Sequence, residues 1–446
     1  VTNREKGRDT VDLVLTGATV LPMGGAEPIP TGAVAIAGDS IIAVGPADAV
    51  RDEVDTSGAE VIDLPGAVVL PGCVNVHTHL GLTWARGLVI GDRHPVYDVF
   101  WPLERALDPE IVKDLSGAAV ADSLLSGTTT VADHYFFTDS GVEACIELGL
   151  RSAAGLTVMT LDGPRLHDES SSVAEAERFV DAWLDRHPLV HPSVAPHAPD
   201  TCDDDTLRTL TELARDRGVP LHFHLAQTDQ ELRIIAERSG LSPIAHVDEL
   251  GMLDGGPTLA AQCSRSSDAD LARLADRPDT TAVYCPTVHA IDGVSLRAAE
   301  LLAHGGNVGI GTDCAPNDSY SVLAEARNAV IAQGVLTGRG DAIAPVTALE
   351  LATTRNAHAL GLGDRLGRLA PGCLADIVVL EPRSATAGFE EPQSAVVMGA
   401  NARTVDRVYV NGALVVADGQ LVSADEADVA ERANRAARTL RERAGI

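Results

Sequence analysis

The rhythm of apolar and polar positions changes twice along the chain. Over residues 1–68, short β-branched runs (DLVLTGATVLPM, AVAIAGDSIIAVG and AEVIDLPGAVVLPG) are punctuated by Gly, Pro and Asp. That texture predicts a small antiparallel sheet. It returns after Pro371 in ADIVVLEP and VDRVYVNGALVVADG, so residues 1–68 and 370–446 are expected to form one small β-sandwich from both ends of the chain. Residues 69–369 instead repeat a strand-like run followed by a helical pattern. The strand candidates are AVVLPGCVNVHTHL, GTTTVADHYFF, RSAAGLTVM, LVHPSVAPHAP, VPLHFHLAQ, PTLAAQCS, TAVYCPTVHA and NVGIGTDCAP. Between several of them lie amphipathic stretches such as DDDTLRTLTELARDRG and DADLARLADR, with apolar residues at helical spacing. Eight such alternations predict an α/β fold whose parallel sheet closes into a (β/α)8 TIM barrel. The final segment, DEADVAERANRAARTLRERAGI, reads as a helix with Asp425 near its start and arginines toward its end, as the helix dipole prefers.

Composition narrows the class. With 446 residues, 45% of them apolar, the chain can bury a large core. No run of eighteen or more apolar residues and no basic-then-apolar leader is present, so a cytoplasmic protein without a membrane partner is expected. A formal charge of −30 argues against nucleic acid, which requires a basic face. A small-molecule substrate is the expected partner; a homo-oligomer is common for such barrels, but no interface can be read. The seven cysteines are scattered and lack a CxxC pair, which argues against a disulfide framework or a cysteine zinc site. Lysine occurs only as Lys6 and Lys113, the latter in a helical stretch, so no strand lysine could bridge two metals as a carbamate. A one-metal site is the default.

Candidate chemistry begins at PGCVNVHTHL. In a strand, His77 and His79 share a face about 6 to 7 Å apart, forming either a chelating edge or a polar rim. Further polar residues collect at the C-terminal ends of the strand candidates: His134, His197, His222 with His224, Gln262, His289 and Asp313. That end of a barrel is where active sites assemble, which favours the metal reading.

The motifs PGCVNVHTH, APHAPDTC, LHFHLAQT, GIGTDCAPND and LAPGCLADIVVL, in this order, resemble the amidohydrolase superfamily, in particular the deaminase and chlorohydrolase branch with its adenosine-type and 8-oxoguanine-type deaminases. The resemblance spans nearly the whole chain and implies the same barrel with a split β-sandwich. It also implies one divalent metal, zinc or iron, held by His77, His79, His224 and Asp313, with Asp313 doubling as base toward the activated water. His197 resembles a substrate-contacting residue; its alternative is a backbone-satisfied histidine in a proline-rich turn. VFWPLERALDPE resembles a substrate-gripping stretch, with Glu104 beside Trp101 receiving ribose hydroxyls; Glu104 is equally readable as an ordinary residue ahead of a helix. His222, sharing a face with His224, either supports the site or packs the strand, and it stays outside the ligand set.

Two departures bear on mechanism. HLAQ places Gln227 where the family carries a proton-shuttling glutamate, and AAQC places Gln262 where it carries a histidine. Glutamine neither takes nor gives a proton at the first position, and at the second it replaces a group that would stabilise the attacking or developing oxyanion. Three accounts follow. The favoured one is a metal-dependent hydrolase acting on a C–N bond of a nitrogen heterocycle or nucleoside-like molecule, with Asp313 as base, His289 or less readily His134 as acid, and both glutamines contacting substrate. The alternatives are halide release or a Lewis-acid lyase or isomerase step, and an inactive relative that retains metal or ligand binding.

Overall fold

Eight runs of the middle segment fold as parallel strands and pair in chain order: Cys73–Thr78, Thr128–Tyr135, Arg151–Val158, Val190–Pro196, Leu221–Leu225, Thr258–Gln262, Thr280–Tyr284 and Asn307–Ile310. This computed structural model describes residues 9–88, 95–161, 172–314 and 319–445; Lys6 and the last four residues of GIGTDCAPND, 315–318, lie outside them. The eighth strand returns to the first through a parallel bridge between Thr78 and Asp313. The backbone N–H groups of Thr312 and Asp313 donate to the His77 carbonyl at 3.1 and 3.0 Å. Gly311 makes that approach possible, since a Cβ there would lie 2.7 Å from the same carbonyl oxygen. The expected barrel is therefore present.

Helices follow the strands where the spacing predicted them. Asp203 caps the helix Asp204–Arg217 and Ser267 caps Asp268–Ala275, each side chain accepting a backbone N–H of the first turn. Their apolar faces, among them Leu207, Leu210, Leu271 and Leu274, join Phe223, Leu225, Ala260 and Ala282 of the strands in the main apolar cluster.

Two strand candidates come out differently. AVVLPGCVNVHTHL divides at Gly72, where a Cβ would lie 2.1 Å from Thr129 Oγ1: Val68–Pro71 joins the sheet of the chain ends, and only Cys73–Thr78 enters the barrel. TAVYCPTVHA leaves the sheet after Tyr284, and Pro286 opens a short helix, Pro286–Ile291, that carries His289.

The two ends of the chain build one nine-stranded sheet, joined where Val68–Pro71 pairs antiparallel with Ile377–Leu380. It is mixed and not purely antiparallel, because Leu13–Val20 runs parallel to both Glu60–Asp63 and Val68–Pro71. Leu15, Val34 and Ile36 from one end share an apolar cluster with Ile377, Val379 and Tyr409 from the other. A buried ion pair fastens this sheet to the barrel: Arg151 of the third barrel strand meets Asp376 at 2.8 Å, and Asp376 also accepts the Asn411 backbone N–H at 2.9 Å. The C-terminal helix, Glu426–Ala444, is capped by Asp425 as expected. It packs on the barrel, its Ala436, Ala437 and Leu440 clustering with Trp84, Ile111 and Leu115. All seven cysteines are buried and unpaired. Among the described residues no helix is long and apolar enough to cross a membrane.

Candidate metal centre

His77 and His79 project from the end of the first strand with ring centroids 4.8 Å apart, and His224 of the fifth strand stands 4.9 and 5.2 Å from them. One ring nitrogen from each falls within 4.8 Å of the other two. The second nitrogen of each ring is engaged elsewhere. His79 Nδ1 donates to the His134 carbonyl, and His224 Nδ1 donates to the His197 carbonyl at 2.9 Å. A carbonyl only accepts, so each Nδ1 carries a proton, and in a neutral ring Nε2 is then the lone pair. Those two atoms face each other at 3.2 Å, and Asp313 Oδ1 lies 3.4 Å from His79 Nε2.

With neutral rings these lone pairs and the Asp313 carboxylate repel one another unless a cation or a proton lies between them. His77 completes the picture: its Nδ1 contacts His222 Nε2 at 2.8 Å, while its buried Nε2 has no hydrogen-bond partner among the described residues. Burial first, then the surrounding imidazoles, pushes His77 well below the usual histidine range, and His224 is lowered to about 4 by burial and His79. Neutral imidazoles with anchored Nδ1–H groups are what a divalent ion requires of its ligands, so the residues fit one such ion.

Asp313 follows the eighth strand in a left-handed conformation, φ +53°, and Gln262 ends the sixth at φ +80°. Both are strained for non-glycine residues, and both belong to this centre. Asp313 Oδ1 accepts the Cys314 backbone N–H at 2.6 Å, and Oδ2 accepts the Gln262 amide at 2.5 Å. Behind Gln262 stands His289, its Nε2 2.6 Å from the amide oxygen and its Nδ1 accepting the Leu296 backbone N–H at 3.3 Å. Burial lowers His289 to about 4, against the pull of Asp313.

The remaining expected residues surround this core. His134 lies 4.9 Å from His224, centroid to centroid, and its Nδ1 takes the Thr157 hydroxyl at 2.9 Å. His197 lies 4.8 Å from His224, with Nδ1 2.9 Å from Thr201 Oγ1. Trp101 and Glu104 are buried on the short helix Trp101–Glu104. Glu104 reaches the centre through Tyr135, whose hydroxyl donates to it at 3.0 Å and whose ring lies 6.2 Å from His79. Gln227 sits on the loop after the fifth strand. Its backbone N–H and that of Ala226, itself at φ +50°, are held by the two carboxylate oxygens of Glu231, each at 2.7 Å.

Tyr135 and Glu231 were not among the sequence candidates, and His222 was left undecided. A signal existed for two of them: His222 shares the His224 face of its strand, and Glu231 lies three residues after Thr228, the spacing of a helix capping box. Tyr135 carries no comparable pattern.

Comparison with known proteins identifies the family. A model described as "Amidohydrolase family" matches residues 68–415. A 5-methylthioadenosine/S-adenosylhomocysteine deaminase from Syntrophobacter fumaroxidans is 32% identical over 445 residues, covering 98% of this chain and 100% of that protein. A 5'-deoxyadenosine deaminase from Methanopyrus kandleri is 32% identical over 381 residues, covering 84% of this chain and 86% of that one. Among solved structures, an adenosine deaminase from Xanthomonas campestris with bound zinc superimposes with a TM-score of 0.90 at 28% identity, covering 98% of this chain and all of that one.

Proposed function

The chain belongs to the amidohydrolase family, and on that premise we propose that it is a metal-dependent aminohydrolase that releases ammonia from the purine of an adenosine-type nucleoside. The observation that carries the reading is the buried trio His77, His79 and His224, whose ring nitrogens lie within 4.8 Å of one another, with Asp313 Oδ1 3.4 Å from His79 Nε2. The identity to named deaminases over almost the full chain supports the reaction class, and it does not favour halide release, a lyase step or an inactive protein.

A divalent ion, zinc by preference, held by His77, His79, His224 and Asp313 would supply Lewis acidity that brings water within reach of ionisation near neutral pH. Asp313 takes the proton of the attacking water on a carboxylate oxygen and returns it to the departing nitrogen. Gln262 and Gln227 contribute amide hydrogen bonds to the heterocycle and move no proton. His134 and His197 border the substrate beside His224, and Glu104, with Trp101, stands ready for the sugar hydroxyls. Among the described residues, His289 is hydrogen-bonded to Gln262, which in turn meets Asp313. Seven unpaired cysteines support a reducing, cytoplasmic setting.

The test is ammonia release from 5-methylthioadenosine, S-adenosylhomocysteine, 5'-deoxyadenosine and adenosine by the zinc-loaded protein, with loss on chelation and recovery on adding metal back. Gln227→Glu is expected to raise the rate on the preferred substrate, by up to the 10² to 10⁴ that general acid–base catalysis supplies. A stoichiometrically zinc-loaded protein that releases ammonia from none of these, before or after that substitution, would sink the proposal.

A further inference from the structure

A glutamine amide can turn end for end with little change of shape, exchanging its donor and its acceptor. At Gln262, 1% exposed, the two ends meet partners that are not interchangeable. The Leu296 backbone N–H donates to His289 Nδ1, so the His289 proton resides on Nε2. Nε2–H donates to Gln262 Oε1 at 2.6 Å, which turns the amide nitrogen toward Asp313 Oδ2 at 2.5 Å. An ionised carboxylate only accepts. Reversing the amide would set oxygen against carboxylate at one end and N–H against N–H at the other. The chain of bonds thus has one allowed polarity, fixed from outside the centre by a backbone N–H that cannot change role.

Its consequence falls on Asp313. With Oδ2 held by Gln262 and Oδ1 by the Cys314 N–H at 2.6 Å, the plane of the carboxylate is set, and Oδ1 is the oxygen that stands 3.4 Å from His79 Nε2. We propose that His289 is a positioning residue of the metal centre: by fixing the amide of Gln262 with its nitrogen toward Asp313, it orients the ligand carboxylate while touching neither ion nor substrate. This rests on the reading of Asp313 as a metal ligand.

Zinc affinity, measured by competition with a chromophoric chelator, tests it in five proteins: wild type, His289→Leu, Gln262→Leu, the double variant, and His289→Gln, which keeps a donor for the amide oxygen. Each Leu variant is expected to weaken zinc by about 10- to 100-fold, the usual effect of removing a group that orients a ligand. The double variant is expected to bind no worse than Gln262→Leu alone, and His289→Gln to stay within a few-fold of wild type. The visible spectrum of the cobalt(II)-loaded proteins should change in His289→Leu and return in His289→Gln. Should His289→Leu fail to fold by circular dichroism, His289→Asn, whose donor falls short of Gln262, takes its place with the same expected loss. Affinity unchanged in the single His289 variant, or losses that multiply in the double variant, would overturn the positioning role alone. A wild-type protein that binds no zinc would overturn the reading of the centre and this one with it.

Discussion

Replacing His222 by phenylalanine is the perturbation that most directly probes how the centre is prepared. His222 Nε2 lies 2.8 Å from His77 Nδ1, and both side chains are fully buried. For His77 to offer Nε2 to an ion, its proton must sit on Nδ1 and be donated to His222. Phenylalanine keeps a flat aromatic ring and removes the acceptor. A buried N–H left without a partner costs about 1 to 3 kcal/mol. That proton would also be free to occupy His77 Nε2 and block the ligand lone pair. Loss of such an orienting partner typically weakens metal binding by about 10- to 100-fold, which corresponds to about 1.4 to 2.8 kcal/mol. The expected outcome is a fall in zinc affinity within that range, read by chelator competition, with the stoichiometry of one ion per chain retained at saturating zinc. His222→Gln, which keeps an acceptor, should lose much less. His224→Ala should abolish stoichiometric binding altogether. Zinc affinity unaltered in His222→Phe would refute the argument that His222 sets the His77 tautomer.

Two further outcomes are expected. Burial raises Glu104 from 4.5 to about 8, opposed by the Tyr135 hydroxyl, so the folded protein holds a proton there that the unfolded chain gives up. Its contribution is therefore complete below about pH 4.5 and is lost as pH rises through about 8, at up to about 1.4 kcal/mol per pH unit; urea midpoints from pH 5 to 9 should fall more steeply for wild type than for Glu104→Gln, and parallel curves would refute the assignment. Arg151→Met should leave Asp376 buried with its counter-charge removed and cost about 3 to 5 kcal/mol, read as a lowered denaturant midpoint, with much of the loss recovered in Arg151→Met/Asp376→Asn; a loss below about 1 kcal/mol in the single variant would count against the ion pair as the fastening between barrel and sheet.

Much of the centre was legible one strand at a time. Period-two alternation puts His77 with His79, and His222 with His224, on shared faces, and the gathering of polar residues at strand ends pointed to the mouth of a barrel. What could not be read was which atom each residue gives to which neighbour. His77 meets His222 across 145 positions and Gln262 meets Asp313 across 51, and a spacing within one strand carries nothing about such pairs. His289 shows the same limit: the run TAVYCPTVHA reads as a strand ending in a histidine, but Pro286 starts a helix, and the imidazole faces an amide and not open space.

By itself, then, the sequence determined the alternation that makes a barrel, the two-ended sheet, and the residue types able to hold a divalent ion, because each depends on local periodicity and side-chain chemistry. Only the tertiary structure decided which ring nitrogens of His79 and His224 meet a carbonyl, the polarity of the Gln262 amide and the left-handed turns that aim Gln262 and Asp313 at the centre. Those are set by partners from other strands, in a space closed to water, where an unpaired polar group is costly.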